Sequence, residues 1–272
     1  MKFIEKLLQR AGSVNSWVCV GLDPVIEQLP ESIRSHPKPV EEFNRQIVHA
    51  TKDVVCAYKL NLAFYESSGI AGWKSLEETL RAIPSDVVTI ADGKRGDIGN
   101  TSKQYARSLF EQWGFDAQTV NPYLGMDALE PFLSYSEKGI FVLCLTSNPG
   151  AADFQRLMIG KEPLFCRVAE KVIEYNRNGN CGLVVGATQA EDLPTIRKIA
   201  PSLPFLIPGI GAQGGDLAAA ILEGTDKNGN LALINASRSI LYASEGADFA
   251  ARAHNAAIEL RDQINHYRKQ KK

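Results

Sequence analysis

Charged side chains that can do chemistry stand directly after apolar runs of the sequence. Asp92 and Lys94 end one such run, and Asp97 follows shortly after them. Two earlier runs end near Asp23 and Lys59. Ammonium and carboxylate groups held side by side can stabilise a developing charge and move a proton. If the fold brings these segments together, the sequence predicts a charged array suited to proton transfer.

The spacing of two of these residues favours a common direction. Asp92 and Lys94 are two positions apart, so on an extended strand their side chains point to the same side. Gly93, Gly96 and Gly99 keep the backbone open beside them, at a cost in conformational entropy. A structural network of ion pairs is the alternative explanation of these charges. We favour a preorganised array because a purely structural loop would not need the glycines.

The surrounding segments alternate between short β-branched runs and longer stretches with helical spacing and charged faces. This alternation is typical of strands that alternate with helices. The candidate strands are residues 17–22, 54–60, 87–91, 117–120, 140–145, 182–185, 205–207 and 231–234. Eight strands close a parallel barrel, in which functional groups cluster at the carboxyl ends. We therefore predict an α/β fold, a (β/α)8 TIM barrel, with an open doubly wound sheet as the competing topology.

The length of the chain fits one such unit. At 272 residues it is close to the size of a typical barrel, about 250 residues. We expect a single domain over residues 1–272, with a short N-terminal helix and a frayed, basic C-terminal tail over residues 266–272. Between the sixth and seventh strands, Thr188 is expected to cap a helix that ends before Pro201.

Composition and charge argue against several classes of function. Thirty basic and 31 acidic residues give a formal net charge of -1, which offers no general attraction for nucleic acid or an anionic membrane. No apolar run approaches the roughly 20 residues that span a bilayer. The five cysteines include no close pair of the kind that binds a metal, and they are expected to be reduced and buried. These features predict a cytoplasmic protein without a metal site.

Two segments late in the chain are candidates for binding a phosphate. Pro208 begins a loop with four glycines and Gln213, whose backbone N–H groups could approach an anion closely. Ser237 and Arg238 follow the eighth strand, where barrels often hold a phosphate, and the guanidinium offers a bidentate fork. A tight turn is the alternative explanation of the glycine-rich loop taken alone.

Ser147 follows the fifth strand, in a segment that reads Ser-Asn-Pro-Gly. Its hydroxyl can donate and accept a hydrogen bond, which suits the amide-like edge of a heterocyclic ring. The alternative is that the serine caps a helix or turn.

Taken together, these motifs resemble those of a known family. The pattern Asp92-x-Lys94-x-x-Asp97-Ile98-x-x-Thr101, with Lys59 one strand earlier, resembles the signature of the orotidine 5'-phosphate decarboxylase family. The resemblance runs from Asp23 to Arg238, and the length of the chain is similar to that of the longer, bacterial-type subgroup. It implies cofactor-independent decarboxylation of orotidine 5'-phosphate to uridine 5'-phosphate and CO2, in the synthesis of pyrimidine nucleotides.

The resemblance also implies a role for each matching residue. The catalytic residues it implies are Lys94, Asp92, Asp97 and Lys59. The substrate-binding residues it implies are Asp23, Ile98, Thr101, Ser147, Pro208, Gln213, Ser237 and Arg238. Many members of the family have glycine where this chain has Ser237, a departure that keeps the main-chain donor but bears on the conformation of the loop.

By the same resemblance, the protein is expected to be a homodimer with shared active sites. Asp97, Ile98 and Thr101 of one subunit would reach into the site of its neighbour. Two other functions stay open: a metal-dependent sugar-phosphate decarboxylase or epimerase on the same kind of barrel, and a non-catalytic nucleotide-binding barrel. Lys94 among the carboxylates disfavours the first, because it would repel a divalent cation. The second would need Gln213 and Arg238 but neither Lys94 nor Lys59.

Overall fold

The computed structural model describes residues 1–211 and 214–271. Its main feature is a closed barrel of parallel strands in the order β1-β2-β3-β4-β5-β8-β9-β10, with β10 paired to β1. The barrel strands are β1 Val18–Gly21, β2 Ala57–Asn61, β3 Val88–Arg95, β4 Ala117–Val120, β5 Gly139–Leu145, β8 Cys181–Val185, β9 Phe205–Pro208 and β10 Ala232–Ala236. This closure confirms the predicted TIM barrel and rules out the open doubly wound sheet.

Each barrel strand overlaps a run predicted from the sequence. The largest difference is in β3, which the sequence predicts to end at Ala91 but which continues to Arg95. A short antiparallel hairpin, β6 Met158–Ile159 with β7 Glu162–Pro163, was not predicted and lies between β5 and β8.

Helices connect the strands and surround the barrel. They are α1 Phe3–Ser13, α2 Glu31–Arg34, α3 Pro39–Thr51, α4 Leu62–Glu66, α5 Gly69–Ala82, α6 Gly99–Arg107, α7 Met126–Leu133, α8 Ala151–Phe154, α9 Leu164–Tyr175, α10 Leu193–Ile199, α11 Leu217–Gly224, α12 Arg238–Leu241 and α13 Phe249–Gln270. Shorter turns of other helical types cover Ile26–Gln28, Ser108–Gln112 and Pro122–Leu124. Among the described residues, no helix combines the length and apolar character needed to cross a membrane.

The N-terminal helix α1 lies across the amino ends of β4 and β5. The Lys6 ammonium is 2.7 Å from the Asp116 carboxylate, immediately before β4. Phe3 packs edge-on against Phe141 at 5.7 Å between ring centroids, over Gly139, where a side chain would collide with the ring. One connected apolar core extends from Phe3 to the last helix. The amino end of the barrel is thus closed by packing, which leaves the carboxyl end open.

Two local predictions from the sequence are wrong. The helix α10 begins at Leu193 after Asp192, and the Thr188 hydroxyl instead donates to the backbone oxygen of Ser147 at 3.1 Å. The C-terminal tail is not a frayed end up to Lys271, because α13 continues to Gln270. The side chain of Lys271 donates to the backbone oxygen of Thr225 at 2.7 Å. The tail is held because its basic side chains find carbonyl partners on the barrel shell.

Candidate active site

An open cavity of about 780 Å³ lies at the carboxyl end of the barrel. Most of the candidate residues named from the sequence line it: Asp23, Lys59, Asp92, Lys94, Ser147, Pro208, Ser237 and Arg238. The parallel strands explain this convergence, because their carboxyl ends all meet at one mouth. These residues lie at or just after the carboxyl ends of six barrel strands: β1, β2, β3, β5, β9 and β10.

Ammonium and carboxylate groups alternate across the floor of this cavity. The Lys59 Nζ is 2.9 Å from Oδ2 of Asp92 and 3.5 Å from Oδ2 of Asp23. The Lys94 Nζ is 2.8 Å from Oδ1 of Asp92. Lys59 and Asp92 are almost wholly buried, whereas 47% of the Lys94 side chain is exposed. Lys94 is therefore the member of the array whose ammonium reaches the open part of the cavity.

The buried members of the array hold each other in the charged state. Burial by itself lowers the pKa of the Lys59 ammonium, but the Asp23 and Asp92 carboxylates raise it more, so its pKa lies above the ordinary lysine value. Burial raises the pKa of the Asp92 carboxyl, but Lys59 and Lys94 lower it more, so its pKa lies below the ordinary aspartate value. Both groups are consequently charged at neutral pH.

Asp23 is fixed by partners from two other strand ends. Its Oδ1 accepts a hydrogen bond of 2.9 Å from the backbone N–H of Asn61, at the end of β2. Its Oδ2 accepts one of 2.8 Å from the hydroxyl of Ser237, after β10. The carboxylate therefore joins the charged array to the segment that carries Arg238.

Thr119, on β4, belongs to this cluster, although it is not part of any of the motifs described above. Its hydroxyl donates to Oδ1 of Asp92 and accepts from the backbone N–H of Lys94, each at 2.9 Å. The signal available in the sequence was weak: Gln118 and Thr119 are two polar residues inside a short strand, and both are buried.

Asp97, Ile98 and Thr101 lie beside the cavity and do not line it. The Asp97 carboxylate accepts from the backbone N–H of Ile98 at 2.8 Å, and its backbone oxygen accepts from the Ser102 hydroxyl. Ile98 is 60% exposed, and Thr101 is also exposed. Within the described part of the chain, the Lys94 ammonium pairs with the carboxylate of Asp92 and not with that of Asp97. Asp97 therefore does not flank Lys94 within one subunit.

The described parts of the glycine-rich loop after β9, residues 208–211 and 214–216, meet next to Pro208. Gly209 and Gly211 have φ angles of 105° and 77°, in the left-handed region that favours glycine. Gly215 donates from its backbone N–H to the oxygen of Gly209 at 3.1 Å. Gln213, the predicted phosphate contact, lies outside the described residues. Arg238 is the first residue of α12. It is exposed, and it lines the cavity together with Pro208 and Gly209.

The segment that carries Ser147 is fixed by amide side chains. Oε1 of Gln155 accepts from the backbone N–H of Thr146 at 2.7 Å, and Nε2 of Gln189 donates to the backbone oxygen of Thr146 at 2.8 Å. Gly186 lies so close that a side chain there would come within 2.6 Å of the Ser147 nitrogen. Ser147 thus lines the cavity on a segment that is fixed by the side chains of Gln155 and Gln189. No local sequence pattern indicates the contributions of Gln155 and Gln189.

A closed parallel barrel with alternating ammonium and carboxylate groups at its mouth defines a class of enzymes whose chemistry relies on placed charges. The model of the Orotidine 5'-phosphate decarboxylase / HUMPS family matches residues 16–253 of this sequence. The chain belongs to that family.

Named relatives agree with this membership over the full length. An orotidine 5'-phosphate decarboxylase of Dehalococcoides mccartyi is 55% identical over 273 aligned positions, covering 99% of each chain. The structure of Leishmania donovani OMP decarboxylase is 40% identical, with a TM-score of 0.86, covering 98% of this chain and 99% of that one. Leishmania donovani UMP synthase is 42% identical, with a TM-score of 0.89, and this chain spans 57% of its length.

Proposed function

We propose that this protein decarboxylates orotidine 5'-phosphate to uridine 5'-phosphate and CO2 without a cofactor, as a step of pyrimidine nucleotide synthesis. The observation that carries the proposal is the array of Asp23 with the buried Lys59 and Asp92, from which the Lys94 ammonium extends into the cavity. Family membership and relatives named for this reaction support it.

The reaction requires stabilisation of negative charge at one carbon atom. When the bond from C6 of the pyrimidine to the carboxylate breaks, CO2 leaves and the electron pair stays on C6, in an orbital that the ring cannot delocalise. A fixed ammonium group beside C6 lowers the energy of that state. In the proposal, Lys94 supplies this charge and then gives a proton from Nζ to C6, and solvent returns the proton to the lysine.

The carboxylates and Lys59 keep that ammonium in place. Asp92 accepts hydrogen bonds from both lysines, which fixes the position of the Lys94 ammonium in the cavity. Two like charges about 4 Å apart at an effective dielectric near 20 repel by roughly 4 kcal/mol. Asp92 beside the substrate carboxylate would therefore favour its departure. Lys59 and Asp23 can bind the ribose hydroxyls at the inner end of the array.

We assign the phosphate and the pyrimidine edge of the substrate to other residues that line the cavity. The proposed phosphate site is formed by Pro208, Ser237 and Arg238, and Gln213 is assigned to it from the sequence alone. Ser147 is assigned to the pyrimidine edge. A guanidinium suits a phosphate because its two parallel N–H groups match two oxygens. The binding energy of the phosphate can then be used to close the glycine-rich loop over the reacting ring.

We propose a homodimer in which Asp97, Ile98 and Thr101 complete the site of the partner subunit. The outward position of Asp97 and the exposure of Ile98 support this arrangement. Further exposed apolar side chains belong to the segments that follow β4 and β5, where the rings of Tyr123 and Phe154 meet at 6.4 Å between centroids: Tyr123, Leu124, Phe154, Leu157, Met158 and Ile159. An exposed apolar patch of this kind is typical of a protein interface.

We place the protein in the cytoplasm. All five cysteines are buried and free, as expected for a reducing compartment.

The proposal is tested by following the ultraviolet absorbance of orotidine 5'-phosphate after adding protein dialysed against a chelator. We expect the absorbance of the substrate to fall and equimolar uridine 5'-phosphate to appear. The matched control is the Lys94→Ala protein, purified and dialysed in the same way.

The same experiment separates the alternatives. Activity that disappears on dialysis and returns with Mg²⁺ would favour a metal-dependent reaction, although Lys59 and Lys94 stand where they would repel the cation. Tight binding of uridine 5'-phosphate with no turnover would identify a non-catalytic binding barrel instead.

A further inference from the structure

The hydrogen-bonded ladder between β3 and β4 is interrupted where the charged array begins. Ala91 pairs with Gln118, and the next pair is Arg95 with Val120. Asp92, Gly93 and Lys94 therefore bulge out of the ladder opposite the single residue Thr119. A bulge of this kind leaves backbone groups without ladder partners and redirects side chains.

Lys94 has an unusual backbone conformation within this bulge. Its φ angle is 46°, in the left-handed region, which costs a residue with a Cβ about 1 kcal/mol or more relative to a regular strand. Such a conformation persists when surrounding contacts hold it. The contact on its N–H group is the hydrogen bond of 2.9 Å to the Thr119 hydroxyl.

The Thr119 hydroxyl uses both of its hydrogen-bonding capacities on the array. It accepts from the Lys94 N–H and donates its single proton to Oδ1 of Asp92 at 2.9 Å. The same Oδ1 atom of Asp92 also accepts a hydrogen bond from the Lys94 ammonium. Thr119 is only 1% exposed. Its hydroxyl therefore fixes, from a buried position, both the main chain of Lys94 and the Asp92 carboxylate that pairs with the Lys94 ammonium.

Buried threonines elsewhere in the described part of the chain do not contact the charged array. Thr89 makes a comparable pair of bonds, but with the carboxylate and the backbone N–H of Asp116, immediately before β4. The hydroxyls of Thr51 and Thr225 donate to the backbone oxygens of Ile47 and Ile221, four residues earlier in their own helices. The partners of both hydroxyls are close in sequence, including the Tyr58 hydroxyl at 2.7 Å from that of Thr51, and none belongs to the charged array. Thr119, in contrast, links two residues that lie 25 and 27 positions away.

We propose that Thr119 is a positioning residue for the decarboxylation: its hydroxyl holds Lys94 in the left-handed conformation and aligns Asp92 with the Lys94 ammonium. This inference rests on the proposed function. A misplacement of about 1 Å at a reacting group can cost on the order of 100-fold in rate. The loss should fall on kcat, because the proposed phosphate and pyrimidine contacts come from other strands.

The test compares two substitutions that separate the hydroxyl from the rest of the side chain. Thr119→Val keeps the branched shape and removes the hydroxyl, whereas Thr119→Ser keeps the hydroxyl and removes the methyl. Thr225→Val removes a buried hydroxyl of equal type outside the site and is the matched control. For each protein, kcat, the affinity for uridine 5'-phosphate and the hydrogen exchange of the Lys94 amide are measured.

We expect Thr119→Val to lower kcat by about 30-fold to 100-fold, with affinity for uridine 5'-phosphate within about threefold of wild type. The Lys94 amide should exchange faster in this variant. Thr119→Ser should keep kcat within about fivefold and retain slow exchange, since the hydroxyl that makes both bonds is present. Thr225→Val should leave kcat and the Lys94 amide unchanged.

If Thr119→Val does not fold, Thr119→Ala and Thr119→Ser form the decisive pair, because they differ by one oxygen atom. A kcat for the hydroxyl-free variant within threefold of wild type would overturn the role of Thr119. Equal losses in the serine and hydroxyl-free variants would also overturn it, since packing would then explain the effect. Inactive wild-type protein would instead overturn the proposed function.

Discussion

The hydroxyl of Ser237 donates a hydrogen bond of 2.8 Å to Oδ2 of Asp23, although 214 positions separate the two residues in the chain. The bond crosses the seam where β10 pairs with β1 and closes the barrel. Gly21 makes room for it, because a Cβ at that position would lie 1.8 Å from the Ser237 oxygen. The seam therefore connects the candidate phosphate segment directly to the charged array.

The first prediction concerns this close approach. Gly21→Ala should destabilise the protein by about 2 kcal/mol, because the new methyl group collides with the Ser237 hydroxyl. Adding Ser237→Gly should recover most of the loss, since the nearest remaining contact is the tip of the Asp23 side chain at 3.0 Å. Urea unfolding of the two single variants and the double variant measures the coupling.

Enzymatic activity of the same three variants is the control for this comparison of stabilities. The double variant should regain stability but not full activity, because Asp23 has lost the donor that Ser237 supplied. Strictly additive stability losses would show that the two positions do not meet as described.

The second prediction concerns Lys94 as the proton donor. Lys94→Ala should remove nearly all turnover, because both the charge beside C6 and the proton are lost. The variant should remain folded and should still bind uridine 5'-phosphate, whose phosphate and ring contacts are assigned elsewhere. Steady-state kinetics and product titration measure the two effects, and retention of a tenth of wild-type activity would make the assignment wrong.

Local sequence patterns were sufficient to predict the barrel strands and the charged residues at the mouth of the cavity. Each barrel strand is a short apolar run, and the carboxyl ends of parallel strands must meet, so Lys59 and Asp92 could be placed together without coordinates. The side chains of Asp92 and Lys94 do meet, at 2.8 Å. The regular strand assumed for them is not what brings them together, because a bulge and a left-handed lysine intervene.

Features that depend on partners distant in sequence could not be predicted. The extension of β3 to Arg95 requires its pairing with Val120 across the bulge. The tail was predicted to be frayed because it is basic, but Lys271 finds a carbonyl partner near the end of α11. Thr119 looks like any strand threonine until β3 is placed beside it.

The third prediction concerns Arg238. Arg238→Ala should lower kcat/KM for orotidine 5'-phosphate by about 100-fold or more, because a charge-assisted bidentate contact is lost. The same variant should hardly change kcat/KM for orotidine, which lacks the phosphate. Comparing both substrates provides the internal control, and equal losses on the two would indicate damage to the fold.

The fourth prediction concerns Arg197, a buried guanidinium on α10. It donates to the backbone oxygens of Gly224 at 3.0 Å and Leu203 at 2.7 Å, and it lies 3.5 Å above the centre of the Phe205 ring. Burial lowers its pKa to about 10, which shows the cost of enclosing the charge. Arg197→Lys should therefore lower the free energy of unfolding by about 3 kcal/mol, because an ammonium cannot reproduce the planar fork.

The matched control is Arg81→Lys on α5, where the arginine side chain is 62% exposed and pairs with Glu77 and Glu78. That change should alter stability by less than about 0.5 kcal/mol. Urea unfolding measures both variants. A similar small effect at Arg197 would show that its carbonyl contacts contribute little.

The fifth prediction concerns the shared site. Asp97 of one chain does not reach the Lys94 ammonium of the same chain, so in the proposed dimer each site takes Lys94 from one subunit and Asp97 from the other. The Lys94→Ala and Asp97→Asn homodimers should each be nearly inactive, because every site lacks one of the two groups.

Unfolding the two variants together in equal amounts and refolding them should restore activity. In a hybrid dimer one site receives both substitutions, and the other receives neither. Random assortment makes about half of the dimers hybrid, each with one intact site out of two, so the mixture should recover about a quarter of the wild-type activity under two-fold symmetry. Each variant refolded alone is the control, and mass spectrometry of the intact dimers verifies that hybrids have formed. A mixture as inactive as its parents, despite verified hybrids, would mean that Asp97 does not act across the subunit boundary.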